Sequence, residues 1–427
     1  MHPISDRLKR IKPSPTMAIT EKARRLTLAQ RPIIGLSQGE PDFDTPEHIC
    51  SAAIAAMKEG KTRYTTVDGI SELKEAICAK FESENDVGYQ PNQISVATGG
   101  KQILYNAMMA TVNEGDEVII SAPYWVSYPD IVLLCGGVPV FVTCGQEQGF
   151  KLTAAGLAAA ITSRTRWVIL NSPSNPSGAA YTEKEIRQLA EVLYQNPHVL
   201  VMADDIYEHL VYDDFRFFTP AQIGGDLAER VLTCNGMSKA YCMTGWRMGF
   251  AGGPEWLIKA MAKLQSQSTS NPTSISQYAA VAGLNGPKDF LAENLAVFRQ
   301  RRDLVVNMLN QVPGLDCPTP NGAFYVYPSC AGVIDHVTPS GQRIASDNDF
   351  VEYLLDEAEI AAVPGDAFGL SPHFRVSYAT STELLEEACE RIHRAVNKLD
   401  CSQACVLRRT ASAKQRARSG NSGSIRR

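Results

Sequence analysis

Seven short apolar runs recur through the middle of the chain, at Ile94–Ala97, Val118–Ser121, Val138–Val142, Trp167–Leu170, Val199–Ala203, Val231–Cys234 and Met248–Ala251. Each has the length of a buried strand and is rich in β-branched residues. Helical patterns separate many of them. Between Ser71 and Glu84, the residues Ile70, Leu73, Ile77 and Phe81 fall on one face, and Thr182 with Glu185 forms a capping box before Ile186, Leu189 and Leu193. Such alternation predicts a mostly parallel sheet covered by helices on both faces, an α/β architecture.

The rhythm changes after about residue 290. A charged helix pattern from Asn294 to Leu309 leads to strand candidates at Ala323–Tyr327, Ala361–Val363 and Phe374–Tyr378. A last helix follows, with Thr380 and Glu383 as its capping box and Leu385, Ala388, Ile392 and Leu399 on one face. The expected division is an N-terminal arm that joins part of a small domain (1–45), a large domain (46–290), a small α+β domain (291–400) and a basic tail (401–427). The tail is rich in Ser, Arg, Ala and Gly and poor in apolar residues, so it is expected to be disordered and passive.

Charge narrows the function. Of 41 basic residues, seven lie in 401–427 beside no acidic ones, so the preceding chain carries 34 basic against 46 acidic residues. Such a body gives no footprint for nucleic acid. The longest uncharged, largely apolar stretch, from Ile131 up to Glu147, contains Gly136-Gly137 and Pro139 and suits no membrane-spanning helix, and the N-terminus has no apolar signal region. The eleven cysteines form no CxxC pair, which fits buried thiols in a reducing cytoplasm better than disulfides or a metal site.

Chemistry concentrates in a few segments. Asn235-Gly-Met-Ser-Lys239-Ala-Tyr-Cys-Met-Thr-Gly-Trp-Arg247-Met-Gly249 follows a buried strand. A lysine there is usually a solvated turn residue. Desolvated, it becomes an imine-forming nucleophile, and Arg247 is a natural phosphate partner. Thr98-Gly-Gly-Lys-Gln102 joins a strand to a helix, so its amides suit a phosphate cradle. Asn175, in Asn171-Ser-Pro-Ser-Asn-Pro-Ser-Gly178, sits where open α/β sheets place ligands. Ala203-Asp204-Asp205-Ile-Tyr207 puts a carboxylate at a strand end, where it serves either as a helix cap or as the partner of a buried cation. Arg375, inside the apolar run Phe374–Tyr378, must be paired, by an internal salt bridge or by a bidentate carboxylate ligand.

From about residue 5 to residue 399 the chain resembles the class I pyridoxal-phosphate aminotransferases, on the lysine segment above, with Cys242 where a smaller or aliphatic residue is usual. The resemblance implies a fold-type-I transferase with a seven-stranded, mostly parallel sheet, pyridoxal 5'-phosphate as cofactor, no metal, and a homodimer with shared active sites. It implies that Lys239 holds the cofactor as an imine and shuttles a proton to and from the substrate Cα. Asp204 would then keep the pyridine nitrogen protonated, Asn175 and Tyr207 would bond the phenolic oxygen, and Trp125 would stack on the ring. Gly100, Lys101, Ser238 and Arg247 would surround the phosphate. Tyr64, in Lys61-Thr-Arg-Tyr-Thr, would reach the phosphate held by the neighbouring subunit. Arg375 and the backbone at Gly39 would take the substrate α-carboxylate, beside Trp125 and Asn175.

Ile11-Lys12-Pro-Ser-Pro-Thr16, Gly100-Lys101-Gln102 and Ser121–Tyr128 are similar to the bacterial branch of aspartate aminotransferases, some of which also aminate prephenate. In that branch no arginine takes the distal carboxylate, and Lys12 and Lys101 are the candidates for the task. Specificity for alanine, aromatic amino acids or kynurenine is the alternative. A third reading, an aminotransferase-like sensor domain, calls for a preceding winged helix, and the match begins within the first dozen residues.

Overall fold

The computed structural model describes residues 4–11, 13 and 15–401, so Lys12 and the tail beyond Cys401 lie outside the described residues. All seven apolar runs become strands of one sheet: β1 (Ile94–Thr98), β2 (Glu117–Ala122), β3 (Val138–Thr143), β4 (Thr165–Asn171), β5 (Leu200–Asp204), β6 (Val231–Gly236) and β7 (Met248–Gly252). Their order in space is β1-β7-β6-β5-β4-β2-β3. The pairs from β6 through β3 are parallel, whereas β7 runs antiparallel to both β1 and β6.

Successive side chains leave the sheet on opposite faces and enter different cores. Ile119, Val168, Leu170, Val201 and Ala203 join one cluster, and Val118, Ile120, Trp167, Ile169 and Met202 join the other. Both faces are therefore buried, which is why these strands read as unbroken apolar runs. Helices α1 (Ser71–Asn85), α2 (Gly100–Thr111) and α3 (Glu183–Tyr194) supply part of the cover. The α3 cap is as expected: Thr182 accepts from the Glu185 amide, and the Glu185 carboxylate accepts from the Thr182 amide at 2.8 Å.

A separate apolar cluster gathers Leu36, α4 (Asp289–Leu309), residues of two short strands and the final helix α5 (Thr382–Val396). The strands β8 (Tyr325–Val326), β9 (Val363–Pro364) and β10 (Phe374–Ser377) form an antiparallel sheet in the order β9-β10-β8. Four expectations need correction here. The helix α4 begins at Asp289 rather than Asn294. The strand expected at Ala323–Tyr327 contracts to Tyr325–Val326, and Ala323 at its expected start takes a left-handed backbone (φ 58°) that keeps it out of the extended run. The α5 cap is Ser381, whose side chain accepts from the Leu384 amide, not Thr380. The run at Ala361–Val363 is also split, Ile360–Ala361 pairing parallel with Ile34–Gly35 while β9 pairs with β10.

Among the described residues no helix is long and apolar enough to cross a membrane. The described cysteines are free thiols.

A buried ion pair ties α1 to the segment after β5. Lys80 reaches the Glu208 carboxylate and, at 2.7 Å, Asn85 Oδ1; Asn85 and Asn235 donate to the same carboxylate at 2.8 and 2.7 Å. Burial pushes the Glu208 carboxyl up, but the Lys80 ammonium, His209 and the hydrogen bonds from Lys80 and Asn85 together outweigh it and the net direction is down. Removing one partner of such a pair leaves an uncompensated buried charge. Lys80→Met should therefore lower the unfolding free energy by about 3–5 kcal/mol in urea titration; a loss below about 1 kcal/mol would show that water already solvates Glu208.

Candidate functional site

Because β1, β2, β4, β5 and β6 share one direction, their carboxyl ends open into one cleft of about 980 Å³. The arm residues Gly39–Pro41 and Phe43–Thr45 form one wall, and Tyr325 and Arg375 enter from the smaller sheet. Open α/β sheets place their ligands at this edge.

Lys239 lies on the cleft floor three residues beyond β6, with its amine donating to the Gly39 carbonyl. Burial lowers its pKa, Arg375 and Arg247 lower it further, Glu40 and Asp204 oppose them, and it settles at about 8. The amine is thus free of its proton far more often near neutrality than an exposed lysine, with an ordinary pKa of about 10.4.

Asp204, the last residue of β5, points into the cleft, and Tyr128 donates to its Oδ2 at 2.6 Å. Burial raises its pKa while the Tyr128 phenol and the Ile206 amide hold it down. Asp205 is absent from the cleft wall and is carried in the core, where burial pushes its carboxyl well up. Trp125 stands edge-on to Tyr128 with ring centroids 5.3 Å apart, and the Lys101 ammonium lies 4.9 Å from the Trp125 ring centroid. Burial and then Arg247 lower the Lys101 pKa.

One end of the cleft is built for an anion. Gly99 (φ 82°) turns the chain into α2, whose first residues Gly100 and Lys101 line the cleft beside Ser238 and Arg247. A Cβ at Gly99 would strike the Arg247 guanidinium, and one at Gly249 would strike the Gly99–Gly100 backbone. Glycine at both positions lets free helix amides and a guanidinium converge.

At the other end Arg375 is 2% exposed. Its Nη1 donates to Asn175 Oδ1 at 2.8 Å and its Nη2 to the Ser37 carbonyl. Its Nε has no partner among the described residues. Among the described residues no carboxylate pairs with it, so an internal salt bridge is not what holds it. The Asn175 amide, its oxygen engaged by Arg375, keeps its NH2 for a ligand. Tyr207 lines the same wall, its hydroxyl 2.8 Å from that of Tyr325. Tyr64 is 90% exposed and lies outside this cleft lining.

Sequence reasoning did not single out Tyr128 or Tyr325. Tyr128 stood inside a quoted segment, where spacing after a strand does not reveal which carboxylate it meets. Tyr325 comes from the small sheet, more than a hundred residues from Tyr207.

The lowered Lys239 pKa makes a checkable prediction. Reductive methylation with formaldehyde and a hydride donor, followed by peptide mapping, should modify Lys239 at a rate that climbs through pH about 8. Exposed lysines should lag until about pH 10. Parallel profiles would mean that Lys239 is not desolvated.

Residues 31–392 match the family model of aminotransferases of class I and II. The aspartate/prephenate aminotransferase of Cereibacter sphaeroides is 61% identical over 389 residues, covering 91% of this chain and 97% of that one. The aspartate aminotransferase of Rhizobium meliloti (strain 1021) is 58% identical over 395 residues, 92% and 96% of the two chains. A crystal structure of the aspartate aminotransferase from Rhizobium meliloti superposes with a TM-score of 0.92 at 57% identity, covering 94% of this chain and all of that one (100%). The aspartate aminotransferase from Thermus thermophilus with maleate gives a TM-score of 0.86 at 40% identity over 92% of this chain and 100% of the other. A family match across most of the chain, on the fold that sets a desolvated lysine beside an anion cradle, has one consequence: the chain belongs to the class I and II aminotransferases, enzymes that work with pyridoxal phosphate.

Proposed function

We propose that this aminotransferase moves the amino group of L-aspartate to 2-oxoglutarate, giving oxaloacetate and L-glutamate, and that it also aminates prephenate to arogenate. The observation that carries the reading is Arg375, a buried guanidinium that faces the same cleft as Lys239 and has no carboxylate partner among the described residues. Such a cation needs an anionic ligand, and its fork suits a carboxylate. The relatives named for aspartate and prephenate, and the neighbour solved with maleate, a dicarboxylate, support the substrate class.

The donor set fits pyridoxal phosphate group by group. Gly100, Lys101, Ser238 and Arg247 would hold the phosphate, with Tyr64 reaching the site of the partner subunit in a homodimer. Asp204 would pair with the ring nitrogen, Trp125 would cover the ring face, and Asn175 and Tyr207 would donate to the phenolic oxygen. Bound there, the cofactor supplies an electron sink for charge developing at the substrate Cα.

The chain's own residues do the rest. Lys239 would anchor the cofactor through its amine, and the same amine would take and return the substrate Cα proton. Asp204, whose carboxylate accepts from Tyr128, would pair with a protonated ring nitrogen. Arg375 and the Gly39 backbone orient the α-carboxylate, and Asn175 fixes the fork in position. Lys101, with Lys12 from the arm, would meet the distal carboxylate; a point charge on a flexible stem tolerates carboxylates at different distances. The arm 1–45, large domain 46–290 and small domain 291–400 belong to this reading, supported by the separate apolar clusters around the two sheets. So does a cytoplasmic location.

A panel of amino donors tests the proposal directly, each followed by loss of the holoenzyme's visible absorption. Aspartate and glutamate should bleach it fastest. Preference for alanine, an aromatic amino acid or kynurenine would hand the assignment to the alternative specificity. Lys239→Ala should bind cofactor without a reducible linkage and lose turnover by several orders of magnitude, since nucleophile and proton carrier vanish together.

Distal recognition has its own test. Lys12→Ala should cut kcat/KM for dicarboxylic donors and prephenate by about ten- to a hundredfold, the worth of one charge-assisted bond, while sparing alanine. Lys101→Met, which also loses a phosphate contact, should lower kcat/KM for every donor, and for dicarboxylic ones by that further factor. Equal losses for every donor would assign these lysines to cofactor or arm anchoring instead.

A further inference from the structure

Tyr325 occupies an unusual junction. It sits on β8, paired across from Ser377 in β10, and is 0% exposed by residue although its tip lines the cleft. Its hydroxyl lies 2.8 Å from the Tyr207 hydroxyl. Its ring centroid lies 4.6 Å from the Arg375 guanidinium carbon. A Cβ at Gly39 would fall 2.5 Å from its hydroxyl oxygen, and the Gly39 carbonyl accepts from Lys239. One side chain therefore touches the residue assigned to the cofactor's phenolic oxygen, the residue assigned to the α-carboxylate, and the arm segment that contacts the lysine.

We infer that Tyr325 is a positioning residue that donates its hydroxyl proton to Tyr207, turning the Tyr207 proton toward the cofactor, while its ring face holds Arg375 in place for the substrate. The inference rests on the assignment of Tyr207 and Arg375 made above. A phenol has one proton to give. If Tyr207 gives its own to the cofactor oxygen, it must accept in the bond with Tyr325, and Tyr325 must donate. The ring acts separately: a guanidinium over an aromatic face keeps its in-plane N–H groups free for Asn175, Ser37 and a carboxylate. Hydroxyl and ring thus serve the two halves of the site, and substitution can separate them.

Tyr325→Phe removes the hydroxyl and keeps the ring; Tyr325→Leu removes both. A donor to an anionic oxygen favours the deprotonated ligand. In holoenzyme, Tyr325→Phe should move the pH titration of the visible absorption upward by up to about one unit and lower kcat by up to about tenfold, the scale of one hydrogen bond. KM for aspartate should stay near that of the parent, and only Tyr325→Leu should raise it. Because the hydroxyl acts through Tyr207, Tyr207→Phe/Tyr325→Phe should titrate like Tyr207→Phe alone. An unmoved titration in Tyr325→Phe, or additive shifts in the double variant, overturns the inference, since a packing role would give either. If Tyr207→Phe itself leaves the titration unmoved, the Tyr207 assignment fails and the inference falls with it. A parent protein without any cofactor absorption overturns the proposed function instead.

Discussion

Strand direction is the constraint on which the site depends. Parallel strands end on the same edge, so residues far apart in sequence, such as Trp125, Asn175, Asp204 and Lys239, reach one cleft after β2, β4, β5 and β6. β1 joins them from across the antiparallel β7, and this exception has a use. Running the other way, β7 starts at Met248, beside the Thr98 end of β1, so Arg247 arrives exactly one residue before the strand and next to the Gly99–Gly100 turn. One reversed strand thereby brings a cation to the helix terminus that a wholly parallel sheet would leave without it.

The cleft also concentrates charge at a cost. Arg375 and Arg247 each lower the Lys239 pKa, and Arg247 lowers that of Lys101. Like charges crowd one another in a desolvated place, and the carboxylates nearby do not fully offset them. An anion at each end would relieve the strain: a phosphate against Arg247 and the α2 amides, a carboxylate against Arg375. Sites that perturb ionisable groups in this way are where chemistry is expected.

Most of the large sheet was legible because burial on both faces writes itself into the sequence as continuous apolar runs. The small sheet was less so. Its strands are two to four residues long, and a left-handed Ala323 is kept out of one of them, which no apolar pattern records. The site was legible in its ligand-facing residues, which stand at strand ends with turn chemistry around them. Its supporting residues were not. Tyr128 and Tyr325 read as ordinary core aromatics, and only the fold reveals that their hydroxyls meet Asp204 and Tyr207.

Asp204 and Asp205 show how finely strand geometry sorts adjacent residues of one type. The pleat sends neighbours to opposite sides, so Asp204 enters the cleft while Asp205 turns to the core. Burial raises the pKa of both, but Asp205 is pushed up further. Asp204 receives the Tyr128 phenol, itself kept protonated by burial, and the Ile206 amide, and lies near the Lys239 ammonium. Asp205 faces the charges of Glu208 and Asp204, which push it further toward the neutral acid. The two identical side chains are thus pushed up by different amounts, and the one on the cleft side receives hydrogen bonds that favour the anion where a cationic ring nitrogen would need it. The identity of the residue offers either role, and the face of the strand decides between them.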